Sequence, residues 1–183
     1  MVTVFLADGF EEIEAVTPID VLRRGGVPVR TCSITESCLV TGAHQIPFYA
    51  DTTLAELSDP EEVILLPGGM PGTLNLKNCE ELKKRILSHN EKGKILAAIC
   101  AAPTILGAFG LLKDKEATCF PGMEEELFAK KHLDKKVVIS GNVVTSRGAG
   151  TASDFAFALL SLLKGEKLAQ ELSEIMCYGE GQN

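Results

Sequence analysis

Residues 95–103, ILAAICAAP, decide how this chain folds. Residues 94–99, which are apolar from Ile95 onward, are predicted to form a strand that is buried on both faces, and a helix is predicted to begin directly after it, from Ala101. A nucleophilic side chain, Cys100, stands at the junction between the two. A continuous apolar strand that runs into a helix is typical of a parallel α/β sheet, so this stretch sets the fold class that the remaining sequence has to support.

Strands and helices alternate outward from this stretch in both directions, and we expect one domain over residues 1–183. The predicted strands are residues 2–6, 27–34, 63–66, 94–99, 137–139 and 143–145, the last two forming a hairpin around Gly141 and Asn142. The predicted helices are residues 11–24, 80–92, 151–163 and 166–176 and the one after Cys100, while residues 35–60 are read as short strands and turns. This pattern predicts a doubly wound, mostly parallel sheet with helices on both faces.

Two helices carry further local signals. In residues 11–24 the apolar side chains Ile13, Val16, Ile19 and Val21 fall mostly on one stripe. The helix at residues 151–163 is predicted to begin with Thr151 as N-cap, followed three residues later by the acidic side chain of a capping box.

The composition is that of a globular chain with an acidic balance. Of its 183 residues 45% are apolar and 23% are charged, and the net charge is -7 at pH 7. A chain of this length can bury a sizeable core, and its acidity argues against nucleic acid or an anionic membrane as partner. The longest uncharged stretch, residues 95–112, contains Pro103, Gly107 and Gly110, so we expect a buried strand and helix there rather than a membrane span.

The amino-terminal residues and the cysteines bear on the compartment. Residues 1–8, MVTVFLAD, lack the basic region and the longer apolar run of a secretory signal. The six cysteines include no CxxC pair, and no histidine stands at zinc-ligand spacing from them. We therefore predict a cytoplasmic protein in reducing surroundings, without disulfides and without a metal.

The junction at Cys100 has the features of a nucleophile elbow. Ala98 and Ala102 occupy the places of the two glycines in a G-x-S-x-G motif, where small residues let the strand and the helix approach closely. Such a turn predicts an unusual backbone angle at Cys100, and a helix N-terminus there would stabilise a thiolate. Cys100 is therefore expected to be the most reactive thiol, whereas Cys32 looks like strand interior. The alternative is a buried structural cysteine in an apolar segment.

Two further segments follow predicted strands. Residues 67–72, PGGMPG, can turn backbone N–H groups toward an oxyanion or a phosphate, although the Lys-Ser/Thr ending of a P-loop is missing and a plain tight turn is the alternative. In residues 8–14, DGFEEIE, the charges of Glu11 and Glu12 suit the N-terminus of a helix. Glu14 lies on the side that faces the sheet, where a buried carboxyl needs a partner or a proton.

These segments, in this order, resemble the ThiJ/PfpI superfamily. The matching strings are residues 7–20 (ADGFEEIEAVTPID), 65–72 (LLPGGMPG), 97–103 (AAICAAP) and 145–151 (TSRGAGT). The resemblance covers essentially the whole chain and is closest to the branch that contains the Parkinson-disease-associated protein deglycase and its bacterial relatives.

The resemblance implies a fold, a partner and a site. It implies a flavodoxin-like three-layer sandwich that forms a homodimer. It also implies that Cys100 is the nucleophile and that Glu14 hydrogen-bonds its sulfur. The backbone N–H groups of Gly69 and Ala101 would form an oxyanion site, with Gly68 beside them.

Histidines separate the branches of this superfamily. Protease-like members carry a histidine directly after the nucleophile, where this chain has Ala101, and glutamine amidotransferases use a late His-x-Glu that is absent here. His89 is predicted to be solvated surface on a polar helix. Phe120 occupies one place where a histidine stands in some relatives, and His132 and His44 are kept as candidate site residues.

The predicted function is that of a cysteine-dependent enzyme without a cofactor. It would act as a glyoxalase or deglycase on small reactive carbonyl compounds such as methylglyoxal and glyoxal, or on their early glycation adducts, and release 2-hydroxy acids. The alternative is a redox sensor or holdase chaperone in which the same cysteine is oxidised. A third hypothesis, a nucleotide-binding relative of flavodoxin, predicts a bound flavin.

Overall fold

The computed structural model describes residues 1–57 and 61–179. In chain order its strands are β1 (Val2–Leu6), β2 (Val29–Ser33), β3 (Leu39–Thr41), β4 (Pro47–Tyr49), β5 (Thr52–Thr53), β6 (Val63–Leu66), β7 (Ile95–Ile99), β8 (Glu116–Ala117), β9 (Lys131–His132), β10 (Val137–Ser140) and β11 (Val143–Ser146). The helices are α1 (Glu12–Arg24), α2 (Gly72–Asn78), α3 (Glu80–Glu91), α4 (Pro103–Ala108), α5 (Ala152–Lys164) and α6 (Glu166–Ile175).

Seven of these strands form the central sheet, in the order β10-β11-β7-β6-β1-β2-β5. Every neighbouring pair is parallel except the predicted hairpin, in which β10 runs antiparallel to β11. All residues of β1 and β6 are buried, as expected for strands that are covered on both faces. The fold class predicted from the apolar runs is confirmed.

The side chains of the sheet alternate between two apolar layers. Val4 and Leu6 of β1 pack with α1, α5 and α6, whereas Phe5 faces the opposite layer with α2, α3 and α4. This alternation follows from the period of two in a strand, and it makes the molecule a three-layer sandwich. Because β1, β6 and β7 are parallel, their carboxyl ends meet at one edge of the sheet, where the predicted site segments lie.

The apolar stripe predicted for α1 was wrong in part. Ile19 and Val21 are buried, but Ile13 is 53% exposed and Val16 45% exposed. The buried face of α1 instead includes Glu14 and Ala15, because the period of 3.6 residues carries that face on to Pro18, Ile19 and Leu22. Ile13 and Val16 therefore stand on a second face of the helix.

The prediction that His89 is solvated surface was also wrong, because His89 is only 4% exposed. It follows Leu82 and Ile86 at helical spacing on the buried face of α3. Its Nε2 lies 3.0 Å from the carbonyl oxygen of Ile95.

Two predicted helix starts need correction. Thr151 directly precedes α5 but makes no capping bond to it, since its hydroxyl instead contacts Ser146 Oγ at 2.7 Å and accepts from the Gly148 N–H. The helix expected from Ala101 begins at Pro103 and has 6 residues, so a turn separates it from Cys100. Among the described residues, no helix has both the length and the apolar character needed to cross a bilayer.

Candidate active site

Cys100 directly follows β7 and has a left-handed backbone, with φ of +66°. A non-glycine residue adopts this conformation only where its surroundings enforce it. Here the Cys100 N–H donates to the Ser146 carbonyl at 2.9 Å, and the Cys100 carbonyl accepts from the Phe120 N–H at 2.8 Å. The unusual backbone angle predicted from the elbow is confirmed.

The glycine-rich segment after β6 passes directly beside Cys100. A Cβ at Gly68 would lie 2.7 Å from Cys100 Cβ and 2.7 Å from Glu14 Oε2, so no larger residue fits. The Gly68 N–H donates to Glu14 Oε2 at 2.9 Å and is therefore committed to the carboxyl group. The next residue, Gly69, has φ of +90° and turns its N–H toward the Cys100 sulfur.

Glu14 is 1% exposed and lies in the first turn of α1. Its backbone N–H donates to Glu11 Oε2 at 2.7 Å, which anchors the start of the helix. Its carboxyl group accepts from the N–H groups of Gly68 and Ala149 and shares a hydrogen bond with the Cys100 sulfur. The predicted facing of Glu14 to the sheet is confirmed, and the contact with Ala149 explains the position of the TSRGAGT segment.

The electrostatics of this pair follow from burial. Burial raises the pKa of the Glu14 carboxyl to about 7, and the negative charge of Glu11 acts in the same direction. Burial also raises the pKa of the Cys100 thiol, as does a charged Glu14, whereas the N–H groups of Ala101 and Gly69 lower it. Together these effects raise the pKa of the Cys100 thiol to about 12, contrary to the stabilised thiolate expected from the sequence. Because a charged Glu14 opposes a charged sulfur, a thiolate forms at Cys100 only while Glu14 holds a proton.

Comparisons with known proteins identify the family of the chain. Residues 1–162 match the sequence profile of the DJ-1/PfpI family. The chain belongs to the DJ-1/PfpI family.

Three relatives illustrate how far the similarity extends. Protein DJ-1 homolog B of Arabidopsis thaliana is 43% identical over 92% of this chain. The match includes only 39% of the plant protein, so the chain spans less than half the length of this relative. The glutathione-independent glyoxalase DJR-1.2 of Caenorhabditis elegans is 34% identical over 93% of this chain and 91% of the relative. The structure of oxidised DJ-1 from Toxoplasma gondii superposes with a TM-score of 0.94 at 32% identity, covering 97% of this chain and 98% of that one.

A cavity of about 370 Å³ opens onto Cys100. Its described lining consists of Gly69, Met70, Cys100, Ala101, Phe120, Pro121, Gly122 and Met123. The predicted nucleophile and both predicted oxyanion residues of this DJ-1/PfpI protein thus meet at one cavity, and sequence reasoning had not included the apolar wall from Phe120 to Met123.

The candidate histidines lie elsewhere. His44 places Nδ1 2.8 Å from Glu12 Oε2 and has a side chain that is 69% exposed. His132 belongs to β9, where it is paired with Ala117. Neither contributes to the described lining of the Cys100 cavity, whose wall carries Phe120 instead.

One group of side chains could hold a cation. Ligand atoms of Glu11, Glu12 and His44 lie within 4.8 Å of one another in the described part of the chain. However, both Glu12 oxygens already bond to His44, at 2.8 Å to its N–H and 2.8 Å to its ring.

Proposed function

We propose that the protein is a cysteine-dependent glyoxalase and deglycase that needs no cofactor. Its substrates are methylglyoxal, glyoxal or their early glycation adducts, and its products are 2-hydroxy acids. The supporting observation is the Cys100 sulfur, which faces the N–H groups of Gly69 and Ala101 and hydrogen-bonds to a carboxyl group with a pKa near 7. The C. elegans relative named as a glutathione-independent glyoxalase supports the same chemistry.

In the first half of the reaction, the Cys100 thiolate adds to the aldehyde carbon of the substrate. The carbonyl π bond opens, and the N–H groups of Gly69 and Ala101 stabilise the negative charge that develops on oxygen. Glu14 gives its proton to this oxygen, so that a hemithioacetal and a Glu14 carboxylate result. A carboxyl group with a pKa near neutrality suits this transfer in both directions.

In the second half, the Glu14 carboxylate removes the proton from the carbon bonded to sulfur. The electrons form an enediolate, and Glu14 returns the proton to the former ketone oxygen to give an enediol. Glu14 then takes the hydroxyl proton from the carbon bonded to sulfur and delivers it to the neighbouring carbon, which gives a 2-hydroxyacyl thioester. Water then adds to the thioester, the C–S bond breaks, and the thiol is restored. Methylglyoxal and one water become lactate, and no electron acceptor is consumed.

The test is to follow methylglyoxal and lactate by NMR with the protein at a small fraction of the substrate concentration. The proposal expects many lactate molecules per protein chain. Consumption that stops at one molecule per chain, without lactate, would contradict it.

A redox sensor or holdase chaperone is the second candidate. The observation that favours it is the T. gondii relative, whose structure was determined in an oxidised form. The N–H groups that face the Cys100 sulfur would also stabilise the anionic oxygens of a sulfinate. Peroxide treatment followed by peptide mass mapping tests this role, since it requires oxidation at Cys100 before Cys119 or Cys38.

We also propose that the protein is a homodimer and that it works in the reducing cytoplasm, where Cys100 stays a thiol. The observation that supports the homodimer is an exposed apolar surface formed by α1 and the β3–β4 hairpin. Ile13 is 53% exposed, Val16 45% and Ile46 55%, and these side chains line one surface depression together with Phe48. Burial of such a patch favours association. Light scattering should report two chains for the wild type and one for Ile13→Asp, and a monomeric wild type would overturn the proposal.

A further inference from the structure

The wall of the Cys100 cavity is apolar on the side away from the sheet. Met70, Phe120, Pro121 and Met123 supply its side chains, and the remaining lining consists of glycines, Ala101 and the nucleophile. Of these described lining residues, none except Cys100 has an ionisable side chain. A charged substituent would therefore lose its hydration there without gaining a counter-ion from the lining.

Phe120 is fixed at the entrance of this cavity. Its N–H donates to the Cys100 carbonyl at 2.8 Å, and its carbonyl accepts from the Met123 N–H at 3.2 Å, so the wall is tied to the nucleophile's own backbone. The ring lies beside Gly148, since a Cβ there would be 3.6 Å from Phe120 Cδ2 and 3.9 Å from Glu14 Oε1. The ring and the Glu14 carboxyl thus both lie beside Gly148, and the ring lines the cavity that opens onto Cys100.

Part of this apolar wall is open to solvent. Phe120 is 48% exposed and Met70 is 48% exposed. An aromatic ring and a thioether at a cavity entrance are surfaces that a ligand's apolar group can cover. The cavity of about 370 Å³ falls within the ~300–1,000 Å³ range of small-molecule sites, so it has room for a substituent larger than a methyl group.

We propose that this site selects 2-oxoaldehydes with an aromatic or extended apolar substituent on the ketone carbon, and that Phe120 is the specificity-determining residue. The inference rests on the proposed dicarbonyl chemistry at Cys100. The aldehyde carbon meets the sulfur, and the ketone substituent packs against Phe120, Met70 and Met123. Substituents that carry a carboxylate or a phosphate are rejected.

The experiment measures kcat/KM for methylglyoxal and phenylglyoxal, each referred to the concentration of unhydrated aldehyde. A single methylene in an apolar pocket is worth about tenfold or more, so the wild type should prefer phenylglyoxal by at least about tenfold. Phe120→Ala should lower this ratio by about tenfold, whereas Phe120→Leu should retain most of it. Phe128→Ala, which removes the same ring from a surface residue that is 64% exposed, is the matched control and should leave the ratio unchanged.

A second readout does not require turnover. Alkylation of Cys100 by N-phenylmaleimide and N-ethylmaleimide is compared by peptide mass spectrometry, with both rates normalised to glutathione. The wild type should favour the phenyl reagent, and Phe120→Ala should lose this preference while Phe128→Ala keeps it.

The two readouts separate the inference from the proposed function. Turnover of methylglyoxal without a preference for phenylglyoxal overturns the inference alone. If neither compound is turned over, the proposed function fails and the maleimide rates decide: a phenyl preference that depends on Phe120 supports the apolar recognition site, and equal normalised rates overturn it.

Discussion

Two glutamates are buried at opposite edges of the same sheet. Glu14 lies at the carboxyl ends of β6 and β7 and is 1% exposed, and Glu61 lies just before β6, at the amino end, and is 3% exposed. Both would be costly to bury as isolated charges. They differ in what surrounds them.

Glu61 is held by a guanidinium group. Arg85 donates from Nε to Oε1 at 2.8 Å and from Nη2 to Oε2 at 3.1 Å, the two-bond geometry of an arginine–carboxylate pair. His89 adds a ring nitrogen 3.9 Å from Oε1. The hydrogen-bond partners of Glu14 are instead the N–H groups of Gly68 and Ala149 and a thiol.

The difference separates a structural acid from a reactive one. At Glu61 two charge-assisted hydrogen bonds from Arg85 engage both carboxylate oxygens. Neutral donors leave the charge of Glu14 to be set by burial, which brings its pKa to about 7 and makes its proton transferable. Catalysis should therefore depend on the residues at the carboxyl ends of the strands, whereas the free energy of unfolding should depend on the residues at both ends.

Removal of the nucleophile should have the largest effect. Cys100→Ser should lower methylglyoxal turnover by at least about a thousandfold, because a serine hydroxyl does not become an anion beside Glu14. Cys119→Ser is the matched control, since Cys119 is buried and does not belong to the described lining of the Cys100 cavity. Steady-state rates of methylglyoxal loss check this, and an active Cys100→Ser enzyme would place the chemistry elsewhere.

Removal of the guanidinium should affect stability without affecting chemistry. Arg85→Met leaves the Glu61 carboxylate buried beside an apolar chain, which should cost about 3–5 kcal/mol of unfolding free energy. Lys84→Met changes an exposed neighbour on the same helix and should cost little. Urea denaturation measures both, with kcat/KM of the folded fraction expected to stay at the wild-type value. A loss below about 1 kcal/mol for Arg85→Met would show that the pair contributes no more than surface pairs do.

The sequence was sufficient for the features that depend on continuous patterns. The apolar runs at β1, β6 and β7 predicted parallel strands, and small residues around Cys100 predicted a strained turn. The neighbours of Glu14 on α1 predicted its burial. Each of these features depends on residues that are close together in the chain.

What the sequence did not reveal depends on contacts between distant segments. Ala149 contacts Glu14 through its backbone N–H, so no pattern of side chains in the sequence identifies this contact. The burial of His89 depends on the carbonyl of Ile95, which accepts a hydrogen bond from its ring. The exposure of Ile13 depends on how α1 is rotated against the sheet. The wall at Phe120 was noticed only as a place without a histidine.

The pH dependence of stability should distinguish Glu14 from a surface acid. Its pKa is raised from 4.5 to about 7, so the folded state holds a proton that the unfolded chain loses. The contribution of this proton to the free energy of unfolding is therefore complete below about pH 4.5 and is lost as pH rises through about 7. It amounts to up to about 3 kcal/mol. Glu14→Gln should remove this decline, and urea denaturation of both proteins across this range measures it.

The control for this prediction is Glu125→Gln, which replaces an exposed acid. It should leave the pH profile as in the wild type. A Glu14→Gln profile that still declines between these pH values would assign the proton to another group.

His89, at the opposite edge, should give a smaller effect of opposite sign. Burial lowers its pKa below 6.5, so the folded state keeps the ring neutral while the unfolded chain takes up a proton. Stability should therefore fall as pH drops through about 6.5, and His89→Gln, which still donates to the Ile95 carbonyl, should remove this loss. The effect stays below that of Glu14 because the Ile95 carbonyl and the Glu61 carboxylate favour the protonated ring and offset part of the burial. Urea denaturation of the two proteins between about pH 5 and about pH 8 measures the difference. The opposite result is that the wild type, compared with His89→Gln, gains free energy of unfolding on acidification. That result would show that the His89 ring is charged in the folded protein and pairs with Glu61.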